Sequence, residues 1–191
     1  MARETDLMNL MNRIESLENR VRFLSRLESG AGILVAHDSA SFTGTQTASV
    51  ASGASVDITS LSISHAASSA SNEIFLLGQV GILASSVGRA NVGLAFTAGG
   101  TKIGAGDTAS NRTLVSAGGY TEASSDTANS ESRFIMAVYT PGSTASVTYK
   151  LTAINIRGTT ETLYINRTEN DADAAAIPRG SSWLKLFELA A

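Results

Sequence analysis

The chain has 191 residues, a net charge of −3 and no cysteine. That length fits one medium-sized domain, and the absence of thiols excludes disulfides and thiolate metal ligands as sources of stability. Because no basic cluster follows residue 30, the chain lacks an electrostatic driving force toward nucleic acid or an anionic membrane, and we expect neither as a partner.

Residues 1–29 carry a heptad repeat, which predicts an N-terminal α-helical coiled-coil stalk. Apolar side chains recur at alternating steps of three and four, and an arginine and a glutamate flank them where parallel helices face each other. The residues expected to join the helices are Leu7, Leu10, Arg13, Ile14, Leu17, Glu18, Val21 and Leu24. The Arg13–Glu18 frame is typical of short three-stranded coiled coils and favours a homotrimer. A dimer or a helix folded onto its own domain stays open.

Residues 30–191 predict an all-β head. Short apolar runs of period two, separated by Ser, Gly, Asn and Asp, replace the helical period. Strands are expected at Gly32–His37, Ser55–Ser64, Glu73–Ala84, Ala90–Thr97, Arg112–Ser116, Arg133–Thr140, Ser146–Ile156, Glu161–Arg167 and Ser182–Ala190. Strands of this number and spacing favour a jelly-roll-like sandwich.

Two irregularities are predicted within these strands. The alternation of Val56–Ile63 slips by one residue at Ser60, which indicates a β-bulge or a corner. The glycine-rich stretch Ala98–Gly106 lacks the Gly-Lys-Ser/Thr ending of a phosphate-binding loop, and we interpret it as a hairpin turn.

Three of the runs are apolar on both faces of the strand. They are Ile74–Leu77, Phe134–Val138 and Trp183–Leu189. An antiparallel strand in a sandwich has one core face, so a second apolar face needs another cover. In a trimer that cover is the neighbouring head, with Trp183, Leu184 and Phe187 at the interface. Central strands of a monomeric sandwich with somewhat apolar surfaces are the alternative.

No catalytic frame is recognisable, and we expect no enzymatic activity. The two histidines, His37 and His65, lie near no Gly-x-Ser-x-Gly elbow and are interpreted as ordinary strand-end or loop residues. An enzyme that degrades polysaccharide would need paired carboxylates across a cleft, and acids are sparse in the head. The cluster of Glu169, Asp171 and Asp173 resembles part of a calcium loop but lacks its glycine turn and closing glutamate. We therefore expect a solvated loop there, with no metal and no cofactor.

Long polar stretches at Ala66–Asn72, Glu122–Glu131 and Thr168–Gly180 predict loops at the strand ends, where binding residues concentrate. The candidate receptor-contacting residues are Tyr120, Asn170 and Asp171. These loops are poor in the aromatic residues of tight interfaces, so we expect weak contacts that are repeated in each copy.

The heptad stalk, the small-residue β head and the terminal strand Arg179–Ala190 together resemble trimeric virion proteins of tailed bacteriophages, especially short tail fibres and head fibres. Heads of that kind are jelly rolls similar to tumour necrosis factor and complement-type trimers. The resemblance implies a stalk bound to other virion structural proteins and a head that contacts a host-surface glycan or protein. A capsid decoration protein that stabilises the shell is the alternative. We expect synthesis in the host cytoplasm, since Met1–Asp6 are polar and no secretory or membrane-spanning segment is recognisable.

Overall fold

A computed structural model describes residues 33–86, 90–106, 112–121, 131–168 and 179–191. Within these ranges the chain is all-β and contains no helix. The strands are β1 (Leu34–Phe42), β2 (Gln46–Val50), β3 (Ser55–Ala66), β4 (Glu73–Ser85), β5 (Ala90–Ala98), β6 (Thr101–Ile103), β7 (Ala117–Thr121), β8 (Glu131–Tyr139), β9 (Ser146–Asn155), β10 (Glu161–Ile165) and β11 (Ser182–Leu189). The predicted stalk lies outside the described residues.

The strands form two sheets that pack face to face. In the six-stranded sheet the order is β1-β11-β4-β10-β2, and β8 pairs with the other side of β4. In the five-stranded sheet the order is β3-β9-β5-β6, and β7 also pairs with β5. All of these pairings are antiparallel.

Strand β4 organises the six-stranded sheet because it pairs with three other strands. Its residues 73–79 lie beside β11, its residues 83–85 lie beside β10, and β8 runs along the opposite edge. Between the first two partners, Gly81 approaches the backbone of Ser181. A β-carbon added at Gly81 would lie 2.4 Å from the Ser181 carbonyl oxygen, so only glycine fits at this position.

The core lies between the two sheets and is built from alternate residues of each strand. Its fully buried side chains include Ile74, Leu76, Leu184 and Leu186 from the six-stranded sheet and Leu94, Phe96 and Leu151 from the five-stranded sheet. Burial of each such side chain stabilises the fold by roughly 1.5–3 kcal/mol. The period-two pattern read from the sequence is the cause, since successive side chains of a strand point to opposite faces.

Most of the predicted strands coincide with observed ones, but the prediction of a strand at Arg112–Ser116 is wrong. Residues 112–115 are not in a strand, and β7 begins only at Ala117. The reason is a packing contact: the Val115 side chain lies over Gly93 of β5, where an added β-carbon would come within 2.4 Å of it. The segment therefore covers the sheet instead of joining it there.

The predicted irregularity at Ser60 is confirmed. The β3–β9 register shifts between Asp57 and Ser62, and Ser60 has a φ of 62°. The side chain of Gln46 in β2 braces this bulge: its Nε2 donates to the Asp57 carbonyl at 2.9 Å, and its Oε1 accepts from the Thr59 N–H at 2.7 Å. The bulge thereby connects strands of the two sheets.

The predicted hairpin in the glycine-rich stretch is also confirmed. Strands β5 and β6 pair up to Ala98 and Thr101, and the two residues between them are Gly99 and Gly100. Both have positive φ, 56° and 87°, which is the backbone that a two-residue type I′ turn requires.

Candidate functional site

The six-stranded sheet carries an apolar surface on the side that faces away from the core. The three doubly apolar runs predicted from the sequence fall on its neighbouring strands β8, β4 and β11. Because alternate residues of each strand enter the core, the others project outward together. We call the resulting surface the outer apolar face; it consists of Phe75, Leu77, Phe134, Met136, Val138, Trp183 and Phe187.

The strand register arranges this face in rows. Val138, Phe75 and Phe187 lie opposite one another across three strands, and Met136 lies beside Leu77 in the next row. The Phe75 and Phe187 rings are 6.4 Å apart. Aromatic pairs at this separation interact favourably beyond the area that they bury.

A further aromatic contact lies in a third row of the face. The Phe134 and Trp183 rings are 6.1 Å apart across the intervening Gln79 of β4. The face is therefore one continuous surface rather than a set of scattered side chains.

Side chains on β8 are the most exposed part of the face. Phe134 is 53%, Met136 62% and Val138 55% exposed in the single chain. Contiguous apolar surface of this kind on a soluble domain marks an interaction site. Scattered exposed leucines or valines would carry no such implication.

Two of the residues predicted at the head interface lie on this face. Trp183 and Phe187 project outward from β11 and are half-buried by their neighbours. Leu184, which the sequence also predicts at the interface, instead faces the core and is fully buried. The strand period separates them, since residue 184 lies on the opposite side from residues 183 and 187.

Basic side chains border the outer apolar face. Lys185 extends over Trp183, with its Nζ 5.4 Å from the ring centroid. The His37 ring of β1 stacks on Phe187 at 6.5 Å, with 20° between the ring planes. The Lys185 ammonium beside the Trp183 ring stabilises this arrangement modestly. His37 is therefore part of the border of the face rather than an isolated strand-end residue.

Strand β1, which follows the predicted stalk in the chain, extends the apolar surface to the edge of the same sheet. Ile33, Leu34 and Val35 are 37%, 51% and 45% exposed. Leu34 pairs with Leu189 of β11, so these residues continue the sheet that carries the outer apolar face.

A buried carboxylate forms the second notable cluster. Glu188 of β11 is 1% exposed, and its Oε1 accepts hydrogen bonds from the Ser68 N–H and the Ser68 hydroxyl, both at 2.7 Å, and from the Asn72 amide at 2.5 Å. Its Oε2 lies 2.8 Å from His65 Nε2, and the other ring nitrogen of His65 lies 3.0 Å from Asp38 Oδ2. The cluster joins β3 of one sheet to β11 and β1 of the other.

The hydrogen bonds of this cluster determine the ionisation of Glu188. Burial alone would raise its pKa, but hydrogen bonds from Ser68, Asn72 and His65 outweigh burial and lower the pKa to about 2. The carboxylate is therefore charged at neutral pH. It accepts hydrogen bonds from two loop residues, Ser68 and Asn72, and from His65 of β3. The Ser68 hydroxyl donates to Glu188 and not to His65, so these residues do not have the geometry of a nucleophile beside its base.

The sequence does contain a signal for this cluster. In the run Ser182–Leu189, the period that places Leu184 and Leu186 in the core also places Glu188 there. A carboxylate at an inward position needs several donors. The histidine in a nearby strand end, His65, was a natural candidate.

The other candidate residues are placed as follows. Tyr120 lies in β7, where its backbone pairs with Asn91 of β5. Asn170 and Asp171, together with the predicted Glu169, Asp171 and Asp173 cluster, lie outside the described residues. Within the described ranges, no group of three His, Cys, Asp or Glu side chains is arranged to hold a metal ion. Over the same residues, no helix has the length and apolar character needed to cross a membrane.

No protein-family model and no curated protein matches the chain. Among solved structures it is similar to the C-terminal domain of EclA, a sugar-binding protein, at 12% identity and a TM-score of 0.34, covering 70% of this chain and 76% of that chain. It is also similar to a protein of infectious bursal disease virus, Gt strain, at 10% identity and a TM-score of 0.36, covering 81% of this chain and 38% of that one.

A third similar structure is the insecticidal delta-endotoxin Cry8Ea1 from Bacillus thuringiensis, at 15% identity and a TM-score of 0.32. The match covers 80% of this chain and 20% of the toxin. All three likenesses are too distant to assign the chain to a family.

Proposed function

We propose that the protein is a fibre of a tailed-bacteriophage particle, a homotrimer whose stalk attaches to other virion proteins and whose β head contacts the bacterial surface. The observation that carries the proposal is the outer apolar face, which a single chain leaves open to water. The protein is made in the host cytoplasm and resides in the virion. Its work is attachment rather than catalysis.

The head in this proposal is a jelly roll. The pairs β1–β11, β3–β9, β4–β8 and β5–β7 are nested, each inside the preceding one along the chain. Nested pairing is what results when one long hairpin is wrapped into two sheets, the arrangement of a jelly roll. In this scheme β2, β6 and β10 are additions to the eight-strand pattern.

The occupant of the outer apolar face is a second copy of the chain. The heptad repeat needs identical helices beside it, and so it brings copies of the head together. The exposed residues 33–35 extend apolar surface along the chain from the end of the stalk to the edge of the same sheet. This continuity favours one interface, formed by the copies themselves, over a separate partner for the head.

In the proposed trimer, the five-stranded sheet of each head remains available for attachment to the host. With the six-stranded sheets turned toward one another, each five-stranded sheet and its loops face outward. Three identical weak contacts on one rigid body bind much more tightly than one, because the second and third form at high effective concentration.

The oligomeric state is the first test. Light scattering of the full-length protein at micromolar concentration should give a mass three times that of the 19.7 kDa chain. A stable, soluble single-chain species would contradict the proposal, since the outer apolar face would then have no cover.

The role on the particle is the second test. Particles that lack the protein should adsorb poorly to host cells, and added purified trimer should block adsorption of intact particles. Normal adsorption combined with earlier release of DNA on heating would instead assign the trimer to shell reinforcement, the role of a capsid decoration protein.

A further inference from the structure

Part of the outer face of the five-stranded sheet is polar and contains a cleft, whereas Val115 covers another part of this face over Gly93. The cleft has a volume of about 480 Å³. Hydroxyl, carboxylate and ammonium groups dominate its lining, which consists of Ser55, Asp57, Thr97, Gly99, Gly100, Thr148, Lys150 and Thr152. None of these residues belongs to the outer apolar face or to the Glu188 cluster.

The strand register sets the spacing of these groups. Asp57 of β3 lies opposite Thr152 of β9, and Lys150 of β9 lies opposite Thr97 of β5. Neighbouring strands are about 4.8 Å apart, so the polar side chains of β9 and β5 lie side by side at this spacing, while the register of β3 shifts just after Asp57. That spacing is comparable with the width of a sugar ring, whose hydroxyls project from its edges.

The lining of the cleft includes an ion pair that contributes little to the stability of the fold. Lys150 Nζ donates to Asp57 Oδ2 at 2.5 Å, and the two side chains remain 39% and 55% exposed. A pair this exposed contributes little to folding. It nevertheless presents a carboxylate that can accept from two adjacent hydroxyls and an ammonium that can donate to a third oxygen.

The pair also indicates the charge of the ligand. Lys150 and Asp57 neutralise each other, and no other lining residue is charged. An acidic sugar would meet no surplus of positive charge here. A neutral sugar requires only hydrogen-bond acceptors and donors, and the Asp57–Lys150 pair supplies both.

The glycine turn keeps one end of the cleft open. Gly99 and Gly100 join β5 to β6, and a β-carbon added at either residue would meet nothing within 4 Å. The turn therefore places no side chain across that end, and an extended oligosaccharide can continue beyond the cleft.

We infer that this cleft binds a neutral saccharide unit of a host-surface glycan. The inference rests on the proposed attachment function and identifies the ligand class and its place on the head. The cleft lies on the sheet opposite to the outer apolar face, so a trimer carries three copies of it facing outward. The described lining holds no aromatic ring for stacking, so each contact is weak and the trimer provides the avidity.

The experiment uses the full-length trimer on a printed array of bacterial O-antigen and capsule oligosaccharides, with neutral and uronic-acid-containing members. Binding to neutral members is expected. Asp57→Asn and Lys150→Gln should each reduce the apparent affinity about tenfold, since each removes a hydrogen bond to a charged group. Arg112→Gln, which neutralises an exposed charge outside the cleft, should leave binding unchanged.

Three results would overturn the inference while leaving attachment intact: retained array binding by both cleft variants, a preference for acidic members, or adsorption to host cells without binding to any saccharide. The opposite result, array binding that depends on Asp57 and Lys150 without any role in adsorption, would instead overturn the attachment function and leave the cleft as a sugar site. Thermal unfolding of each variant verifies that the fold is intact.

Discussion

The two sheets share one core but present different chemistry on their outer faces. On the six-stranded sheet, Phe134, Met136 and Val138 project into water beside two phenylalanines and a tryptophan. On the five-stranded sheet, the same outward positions carry Asp57, Lys150 and threonines. Core packing imposes the inward residues on both sheets, so the outward residues are the ones that distinguish the two surfaces. Under the proposed function, the apolar face contacts copies of the chain and the polar face contacts water or a ligand.

The largest expected effect comes from a charge on the outer apolar face. Met136→Glu should open the packed heads, because each interface would bury an uncompensated carboxylate at a cost of roughly 3–5 kcal/mol per chain. The measurement is the thermal midpoint of the full-length protein together with its hydrodynamic radius. The midpoint should fall and the radius should rise.

The matched control for that variant is Ser62→Glu, at an exposed position on the outer face of the five-stranded sheet. It should change neither quantity. Equal effects of the two substitutions would show that the two outer faces do not differ in what they contact.

The next largest effect is expected at the Glu188 cluster, which joins the two sheets. Glu188→Gln should lower the free energy of unfolding by roughly 3–4 kcal/mol. The neutral amide is a weaker acceptor than the carboxylate for the hydrogen bonds that Ser68 and Asn72 donate. Urea unfolding at pH 7 measures the loss. Asp38→Asn, which alters one contact of a half-exposed side chain, should cost less than about 1 kcal/mol.

The same carboxylate predicts a pH dependence. Its folded pKa of about 2 lies below the ordinary value of 4.5, so its stabilisation is complete above pH 4.5 and is lost as the pH falls toward 2. The loss should reach about 3 kcal/mol. The stability difference between the native protein and Glu188→Gln should therefore shrink between pH 5 and pH 2; a constant difference would contradict the assignment.

A smaller effect is expected at the bulge that Gln46 braces. Gln46→Ala removes hydrogen bonds to the Asp57 carbonyl and to Thr59, which should lower the free energy of unfolding by about 1–1.5 kcal/mol at this exposed site. Gln46→Glu retains the acceptor toward Thr59 but places a carboxylate oxygen against the Asp57 carbonyl, so it should cost at least as much as Gln46→Ala. Chemical denaturation measures both.

The smallest effect is expected at the polar cleft. Lys150→Gln should change the free energy of unfolding by less than about 0.5 kcal/mol, because its ion pair with Asp57 is open to solvent. A loss above 1 kcal/mol in urea unfolding would assign the pair a structural role and weaken its interpretation as a binding element.

Local sequence patterns predicted much of the strand layout because they follow directly from strand geometry. The two-sided apolar runs pointed to a second interaction surface, and the slip at Ser60 pointed to a bulge that the register shift confirms. Strand β2 was missed because Gln46–Val50 consists mainly of small and polar residues, and it is held by pairing with β10. Strand β7 was missed because its two glycines carry no period.

The candidate sites were harder to predict from the sequence because they depend on which strands become neighbours. The sequence showed apolar runs near residues 75, 136 and 187 but not that β4 lies between β8 and β11, which merges them into one face. The polar cleft brings together β3, β5 and β9, whose residues are far apart in the chain. Leu184 was assigned to the interface because the run was read as a whole, without separating its two faces.

The antiparallel pairing of β1 with β11 has a mechanical consequence for a fibre of the proposed kind. Leu34, the first residue of β1, sits opposite Leu189, and the Ala190 N–H also donates to the Ile33 carbonyl at 2.9 Å. A pull applied to the amino end of β1 and directed along the strand would load this end of the β1–β11 pair first. The hydrogen bonds between β1 and β11 would then bear the force together in shear instead of breaking one at a time. A tethered particle could therefore pull on the head without detaching its first strand.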